Sequence, residues 1–172
     1  MGSMTPPVRF VPADESLAES LRAAMDVIGH EGRYLGFIDA PPIETLRTNI
    51  QHATETESIQ RFVLSADGSV VGWCSIFRSP RASLRHSGYL GMALLPEYRG
   101  QGIGRRLAQE TIEAARMAGI SRIELDVFTT NARAIALYHA LGFAVEGTKR
   151  RAWKLRDEYV DAHFMALIVE PE

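Results

Sequence analysis

The chain of 172 residues holds a single cysteine, so no disulfide can form within it and the fold must rest on packing alone. That thiol, Cys74, lies in the apolar run Val70-Val71-Gly72-Trp73-Cys74-Ser75-Ile76-Phe77, with no neighbouring charge to lower its pKa. It reads as a small buried hydrophobe, not a nucleophile. No apolar stretch approaches the roughly 18 residues needed to cross a bilayer. Nothing at the start resembles a signal peptide, and Met1-Gly2-Ser3 ahead of Met4 reads as an expression remnant, so the expected location is the cytoplasm. An excess of one charge sign is also missing. The net charge is -2, with no basic run of the kind that follows nucleic acid or coats a membrane, so neither partner is expected. The short cluster Lys149-Arg150-Arg151 reads as a solvated strand face. No histidine pair has metal-ligand spacing, so no metal is expected. Repeats, linkers and low-complexity segments are absent from the sequence too.

What is present is an ordinary globular composition, 46% apolar and 23% charged, long enough for one compact domain over 1–172. Residues 8–11 read as a short strand. A helix follows, capped by Asp14 or Ser16, with Leu17, Leu21, Ala24, Met25 and Ile28 at helical spacing and Gly29 as its stop. Residues 30–42 form a loop too apolar to be idle, and a second helix runs over 43–53. The period then shortens: 62–64 and 70–77 read as a hairpin about Asp67-Gly68, and 87–95 as another strand. The clearest helix is 103–118, with Ile103, Leu107, Thr111, Ala114, Ala115 and Ala118 opposite Arg105, Arg106, Gln109, Glu113 and Arg116. A strand over 122–128, a helix over 131–141 and strands near 144–154 and 159–169 complete an α/β (α+β) domain with a mostly antiparallel sheet.

The join between the 87–95 strand and the best helix reads Leu94-Leu95-Pro96-Glu97-Tyr98-Arg99-Gly100-Gln101-Gly102-Ile103-Gly104-Arg105-Arg106. Glycines at alternate positions leave main-chain N–H groups uncovered, so the turn can curl around an anion at the helix's positive end, with Arg99 and Arg105 beside it. A diphosphate suits such a nest. The Gly-Lys-Ser/Thr of a nucleotide P-loop is missing, and Arg105 stands where a dinucleotide fingerprint needs its third glycine.

These residues resemble the GNAT superfamily of acyl-CoA N-acetyltransferases. Its Arg/Gln-x-x-Gly-x-Gly/Ala signature is matched by Arg99-x-x-Gly102-x-Gly104. A second block, Asn131-Ala132-Arg133-Ala134-Ile135-Ala136-Leu137-Tyr138-His139-Ala140-Leu141-Gly142-Phe143, matches the family's Asn-x-x-Ala-x-x-Leu-Tyr-x-x-x-Gly-Phe without a gap. The two blocks keep the family's order and separation. The likeness is strong over about 70–169 and weaker before that, with the cofactor-binding half over about 87–143.

The resemblance implies a seven-stranded sheet flanked by about four helices, with central strands that splay apart to admit the pantetheine arm of acetyl-CoA. It places main-chain contacts to that arm on Met92, Ala93 and Leu94. It places the diphosphate on Gly100, Gln101, Gly102, Ile103, Gly104 and Arg105, beside Arg99. Asn131 would reach the cofactor as well as cap its helix. Tyr138 would act as general acid, or at least hydrogen-bond donor, to the departing thiolate. Where some members carry a base glutamate early in the splayed strand this chain has Gly88, leaving Glu31, Asp126, His86 and His139 as base candidates. Glu31, Tyr34 and Phe37 are candidates for an amine pocket built from the 30–42 loop. The implied activity is acetylation of a small primary amine such as an amino acid, polyamine or amine-bearing antibiotic or toxin. The alternatives are protein N-terminal or lysine acetylation, and an acyl-CoA-sensing domain without chemistry. A homodimer is the assembly the resemblance suggests.

Overall fold

The computed structural model describes residues 7–170, and the reading of Met1–Met4 as a remnant lies outside them. Seven strands form one sheet: β1 (Arg9–Pro12), β2 (Ile59–Leu64), β3 (Val70–Arg78), β4 (Ser87–Leu94), β5 (Arg122–Phe128), β6 (Ala144–Leu155) and β7 (Glu158–Ile168). Their spatial order is β1-β2-β3-β4-β5-β7-β6, antiparallel throughout except for β4 beside β5. Four helices complete the chain: α1 (Ala18–His30), α2 (Ile43–Glu55), α3 (Ile103–Met117) and α4 (Ala132–Ala140).

The alternation along each strand decides what covers it. Almost every residue of β3 is buried, as a central strand covered on both faces must be. One core lies between the sheet and α3, where Ile103, Leu107 and Ala115 meet Ile76, Leu90, Leu94, Ile123 and Leu125. The α4 residue Tyr138 and the adjoining Phe143 belong to the same cluster, so α3 and α4 share a face. Leu107 is fully buried, which stabilises the fold by about 1.5–3 kcal/mol for a side chain of this kind. A second core sits on the opposite face, where Leu21, Ile28, Leu46 and Ile50 of α1 and α2 cover Phe62, Leu64 and Trp73.

Four details differ from the sequence pattern. A 3₁₀ turn over Glu15–Leu17 precedes α1, and Asp14 caps that turn by accepting from the Ser16 N–H at 2.8 Å. The helix α2 continues two residues beyond 53, to Glu55. The β2 strand starts at Ile59, before the apolar run that marks it. Its hairpin to β3 closes through residues 65–69, a longer loop in which only Gly68 takes a positive φ. The outermost strand β6 is long and almost wholly exposed, and its register against β7 breaks between Lys149 and Trp153, where Arg151 has a φ of 51°. Lys149, Arg150 and Arg151 are exposed, as a solvated face requires.

The loop between α1 and α2 is pinned along its length. The Asp26 carboxylate accepts from the Ala40 N–H at 2.7 Å, and the Arg22 Nε–H donates to the Pro41 carbonyl at 3.1 Å. Ile38 packs on the small cluster of Phe128, Leu155 and Ala162. Gly36 lies flat on the Trp153 indole, where a Cβ would stand 2.5 Å from Cζ3. Gly36→Ala is therefore expected to lose about 1–3 kcal/mol by overpacking, a fall in Tm of roughly 2–4 °C per kcal/mol for a domain of this size. Calorimetry checks this, with Trp153→Ala as the background in which the added methyl becomes harmless. An unchanged Tm would mean that the indole yields freely.

Candidate active site

The parallel ladder between β4 and β5 is short. Ser87 pairs with Arg122, Gly88 with Ile123 and Tyr89 with Glu124, and there it ends. Beyond Tyr89, β4 stays paired to β3 as far as Leu94, and β5 stays paired to β7 as far as Phe128. The two central strands therefore part like a V, with its vertex at Tyr89 and Glu124. From Leu90 onward, the β5-facing main-chain groups of β4 have no strand partner. This open edge, which includes Met92, Ala93 and Leu94, is where an extended amide-bearing chain can pair as a further strand would.

The wide end of the V leads into the glycine turn. Gly100 and Gly102 have φ values of 73° and 79°, and a Cβ at either would meet nothing within 4 Å. They are glycine for backbone conformation, and the space above them is open. Gly102 is the N-cap of α3 and offers no side-chain cap, so the first N–H groups of the helix point outward unsatisfied. Gly104 differs in kind. It lies inside the helix, and a Cβ there would stand 3.4 Å from Leu94 Cδ1, so its bareness lets helix and strand approach. Gln101 donates from Nε2 to the Glu97 carbonyl at 2.6 Å, tightening the turn. Ile103 is buried and anchors the helix start, while Arg105 is exposed beside it. Open amides, a helix N-terminus and a bare strand edge fit the diphosphate and pantetheine of coenzyme A in both chemistry and order.

Arg99 does something the sequence does not disclose. Its Nε–H donates to the Leu94 carbonyl at 2.8 Å, and its two terminal nitrogens bind both oxygens of Glu31, at 2.9 and 2.5 Å. Its guanidinium also lies 4.9 Å from the centroid of the Tyr34 ring. Glu31 and Arg99 are each mostly buried, so this bidentate pair ties the α1–α2 loop to the turn at the end of β4.

Tyr138 is 7% exposed and packs against Phe143 at 5.6 Å between ring centroids. Burial drives its phenol pKa well above the ordinary value, and the nearby Cys74 and Tyr89 groups add to the shift. Burial likewise pushes the Cys74 thiol up to about 12, which removes it as a nucleophile. Asn131 accepts from the Ala134 N–H at 3.2 Å and so caps α4. His139 Nδ1 lies 3.2 Å from the Phe143 carbonyl, and His86 is exposed. Gly88 is closed to any larger residue, because a Cβ there would stand 2.5 Å from Ile76 Cγ2. Asp126 faces the vertex from β5. Its Oδ2 binds Lys149 Nζ at 2.8 Å, and its Oδ1 is buried with no hydrogen-bond partner among the described residues.

Tyr89 is absent from the residues that sequence patterns single out. Its hydroxyl crosses the vertex and accepts from the Asp126 N–H at 3.1 Å. Burial, followed by the charge of Asp126, pushes its pKa up to about 12. The period-two alternation was a signal for it: Gly88 and Leu90 face the α3 core, so Tyr89 faces away. Where β5 ends, at Phe128, a cleft of about 470 Å³ is lined by Arg33, Tyr34, Thr129, Thr130, Tyr159 and Asp161, among others. Of the loop residues expected at an acceptor pocket, Tyr34 lines this cleft. Glu31 is turned to Arg99, and the Phe37 ring lies toward Gly29 of α1. Among the described residues no cluster suited to a metal ion occurs, and no helix is long and apolar enough to cross a membrane.

Fold, open strand edge and amide turn together define an acyl-CoA-dependent transferase. The chain belongs to the Acetyltransferase (GNAT) family, whose sequence model matches residues 20–143. It is 33% identical over 119 residues to the L-amino acid N-acetyltransferase AaaT of Escherichia coli K12, covering 69% of this chain and 74% of that one. It is 30% identical over 115 residues to the [ribosomal protein bS18]-alanine N-acetyltransferase of the same strain, covering 67% and 75%. Its fold superposes with a TM-score of 0.87 on a GNAT superfamily phosphinothricin acetyltransferase from Sinorhizobium meliloti in complex with AcCoA, at 22% identity and 98% and 91% coverage. The protein is an N-acetyltransferase that uses acetyl-CoA and transfers the acetyl group to an amine.

Gly102→Val is expected to abolish coenzyme A binding, since a β-branched residue resists a φ of 79° and covers the open amides. Isothermal titration checks this, and retained micromolar affinity would contradict the cradle.

Proposed function

We propose that the chain acetylates the primary amine of a small molecule, an amino acid or a compound of similar size. The observation that carries this reading is the pinned α1–α2 loop. Fastened to the cofactor turn by Glu31–Arg99 and to β6 by Gly36–Trp153, it limits the acceptor side to a cleft of about 470 Å³. A cleft of that size suits a small ligand, and the likeness to an L-amino acid N-acetyltransferase supports the same reading. The likeness to a ribosomal-protein-alanine N-acetyltransferase favours the second reading, acetylation of a protein N-terminus.

In this mechanism the β4 edge and the amides of Gly100–Arg105 hold acetyl-CoA, which supplies a thioester open to attack by nitrogen. Arg99 positions the loop through Glu31, whose oxygens are both engaged, so Glu31 is a support and not the base. In this reading Tyr138 donates a hydrogen bond to the thioester sulfur. A phenol at about 10 is already less acidic than a thiol at about 8.5, a gap of ~2 kcal/mol, and burial widens it. Tyr138 therefore keeps its proton while it stabilises the departing thiolate. The amine has its own cost: a group of pKa about 10.4 is neutral in roughly one molecule per 2,500 at pH 7, or ~4.6 kcal/mol.

Two measurements test the reading. Thiol release is followed with a panel of L-amino acids, polyamines and an alanine-terminated peptide; preference for the peptide over every small amine would select the second reading. In that assay Tyr34→Ala should raise the amine KM and leave acetyl-CoA affinity unchanged. Tyr138→Phe should lower kcat about tenfold or more with little change in cofactor Kd. Because the Tyr138 pKa is raised, its donor form persists as pH rises, and kcat should show no loss of this donor below about pH 10. A descending limb near pH 8 that disappears in Tyr138→Phe would refute the assignment.

A further inference from the structure

We infer that Tyr89, backed by Asp126, takes the proton from the attacking amine. The inference rests on the amine-acetylating reading above and adds to it the group that the sequence leaves unassigned. Tyr89 stands at the vertex of the V, the last β4 residue paired to β5. With a diphosphate on the turn at the wide end and pantetheine along Met92–Leu94, the thioester end would point toward this vertex. Met92 is three steps along the strand from Tyr89, about 10 Å at roughly 3.3 Å per residue. The Tyr89 side chain is 41% exposed and lies on the face opposite α3, whereas Tyr138 belongs to the α3 core. The two phenols nonetheless sense each other, since Tyr89 contributes to the raised pKa of Tyr138. They address one reacting centre from opposite faces of the sheet, one for the nitrogen and one for the sulfur.

The carboxylates near the site differ in what they have free. Both oxygens of Glu31 are bound by Arg99. Glu124 accepts from Arg122 Nε at 2.5 Å. Asp126 keeps Oδ1 buried and unpartnered among the described residues, while its main-chain N–H already holds the Tyr89 oxygen at 3.1 Å. A buried carboxylate oxygen without a donor is costly, and an arriving proton satisfies it.

The nitrogen lone pair bonds to the acetyl carbon, and the carbon–sulfur bond breaks with its electron pair going to sulfur. The nitrogen's proton, made acidic by that new bond, passes to the Tyr89 oxygen as the Tyr89 hydroxyl turns to give its own proton to Asp126 Oδ1, the oxygen left without a donor. Asp126 then releases one proton to solvent beside the half-exposed Lys149, and the thiolate, held by Tyr138, takes one from solvent.

The test compares the full chain with Tyr89→Phe, Asp126→Asn and the double variant. L-methionine sulfone, other L-amino acids and an alanine-terminated peptide serve as acceptors. Acetyl-CoA affinity is measured by titration, and tyrosine ionisation in the free protein by ultraviolet difference spectra. Each single variant should lose tenfold or more in kcat with acetyl-CoA Kd within twofold, and the double should be no worse than the poorer single, as for groups that act as one unit. In the free protein, Asp126→Asn should let one phenol ionise at lower pH than in the parent, a signal missing from the double variant. A Tyr89→Phe enzyme within twofold of the parent overturns the inference, as do losses that multiply in the double or a Tyr89 ionisation indifferent to Asp126→Asn. A parent inactive on every acceptor overturns the amine reading itself, and the inference with it.

Discussion

The β4–β5 ladder holds for three residue pairs and then lets go, and most of the site follows from that release. Each strand is secured on its other side, β4 by β3 and β5 by β7, so the gap costs neither its place in the sheet. The vertex is held shut where Gly88 lets Ile76 and Ile120 approach closely on the α3 face, and on the other face by the Tyr89 hydroxyl reaching the Asp126 N–H. Exposed strand edges are usually hazards because their amides seek partners. Here the bare edge lies inside the molecule, where a ligand with amides of its own can complete it.

Arg99 joins this gap to the α1–α2 loop. One side chain bonds the carbonyl that ends β4, the carboxylate of a loop residue far away in sequence and the face of Tyr34. The glycine turn and the α1–α2 loop are therefore one mechanical unit, although separate stretches of chain build them. A planar, five-donor guanidinium can make these contacts at once, whereas a lysine ammonium cannot.

Much of this was legible in the residues, for identifiable reasons. The α3 stripe and the β5 alternation are strictly periodic, and the structure places them at Ile103–Met117 and Arg122–Phe128. Gly100 and Gly102 were readable because a tight turn before a helix leaves few explanations for glycine. Gly104 was grouped with them, yet serves packing against Leu94, a distinction visible only once the strand is in place. The long-range pairs were not legible. Nothing local to Glu31 points 68 residues ahead to Arg99, and nothing local to Tyr89 points to Asp126. The hairpin after β2 was legible from Asp67-Gly68, but only Gly68 takes a positive φ, because the Ser65 hydroxyl and the Ser69 N–H both bond the Asp67 carboxylate.

The break in β6 near Arg151 has a bearing on the molecule's life in a crowded solution. A twelve-residue outer strand with one long flank open to solvent is the kind of element onto which foreign chains can add. Its ladder is interrupted between Lys149 and Trp153, and basic side chains crowd the interruption. No intruding strand can follow the flank without meeting both a kink and a positive field. The irregularity acts as a guard rail along this flank, while the interior gap stays open to a ligand.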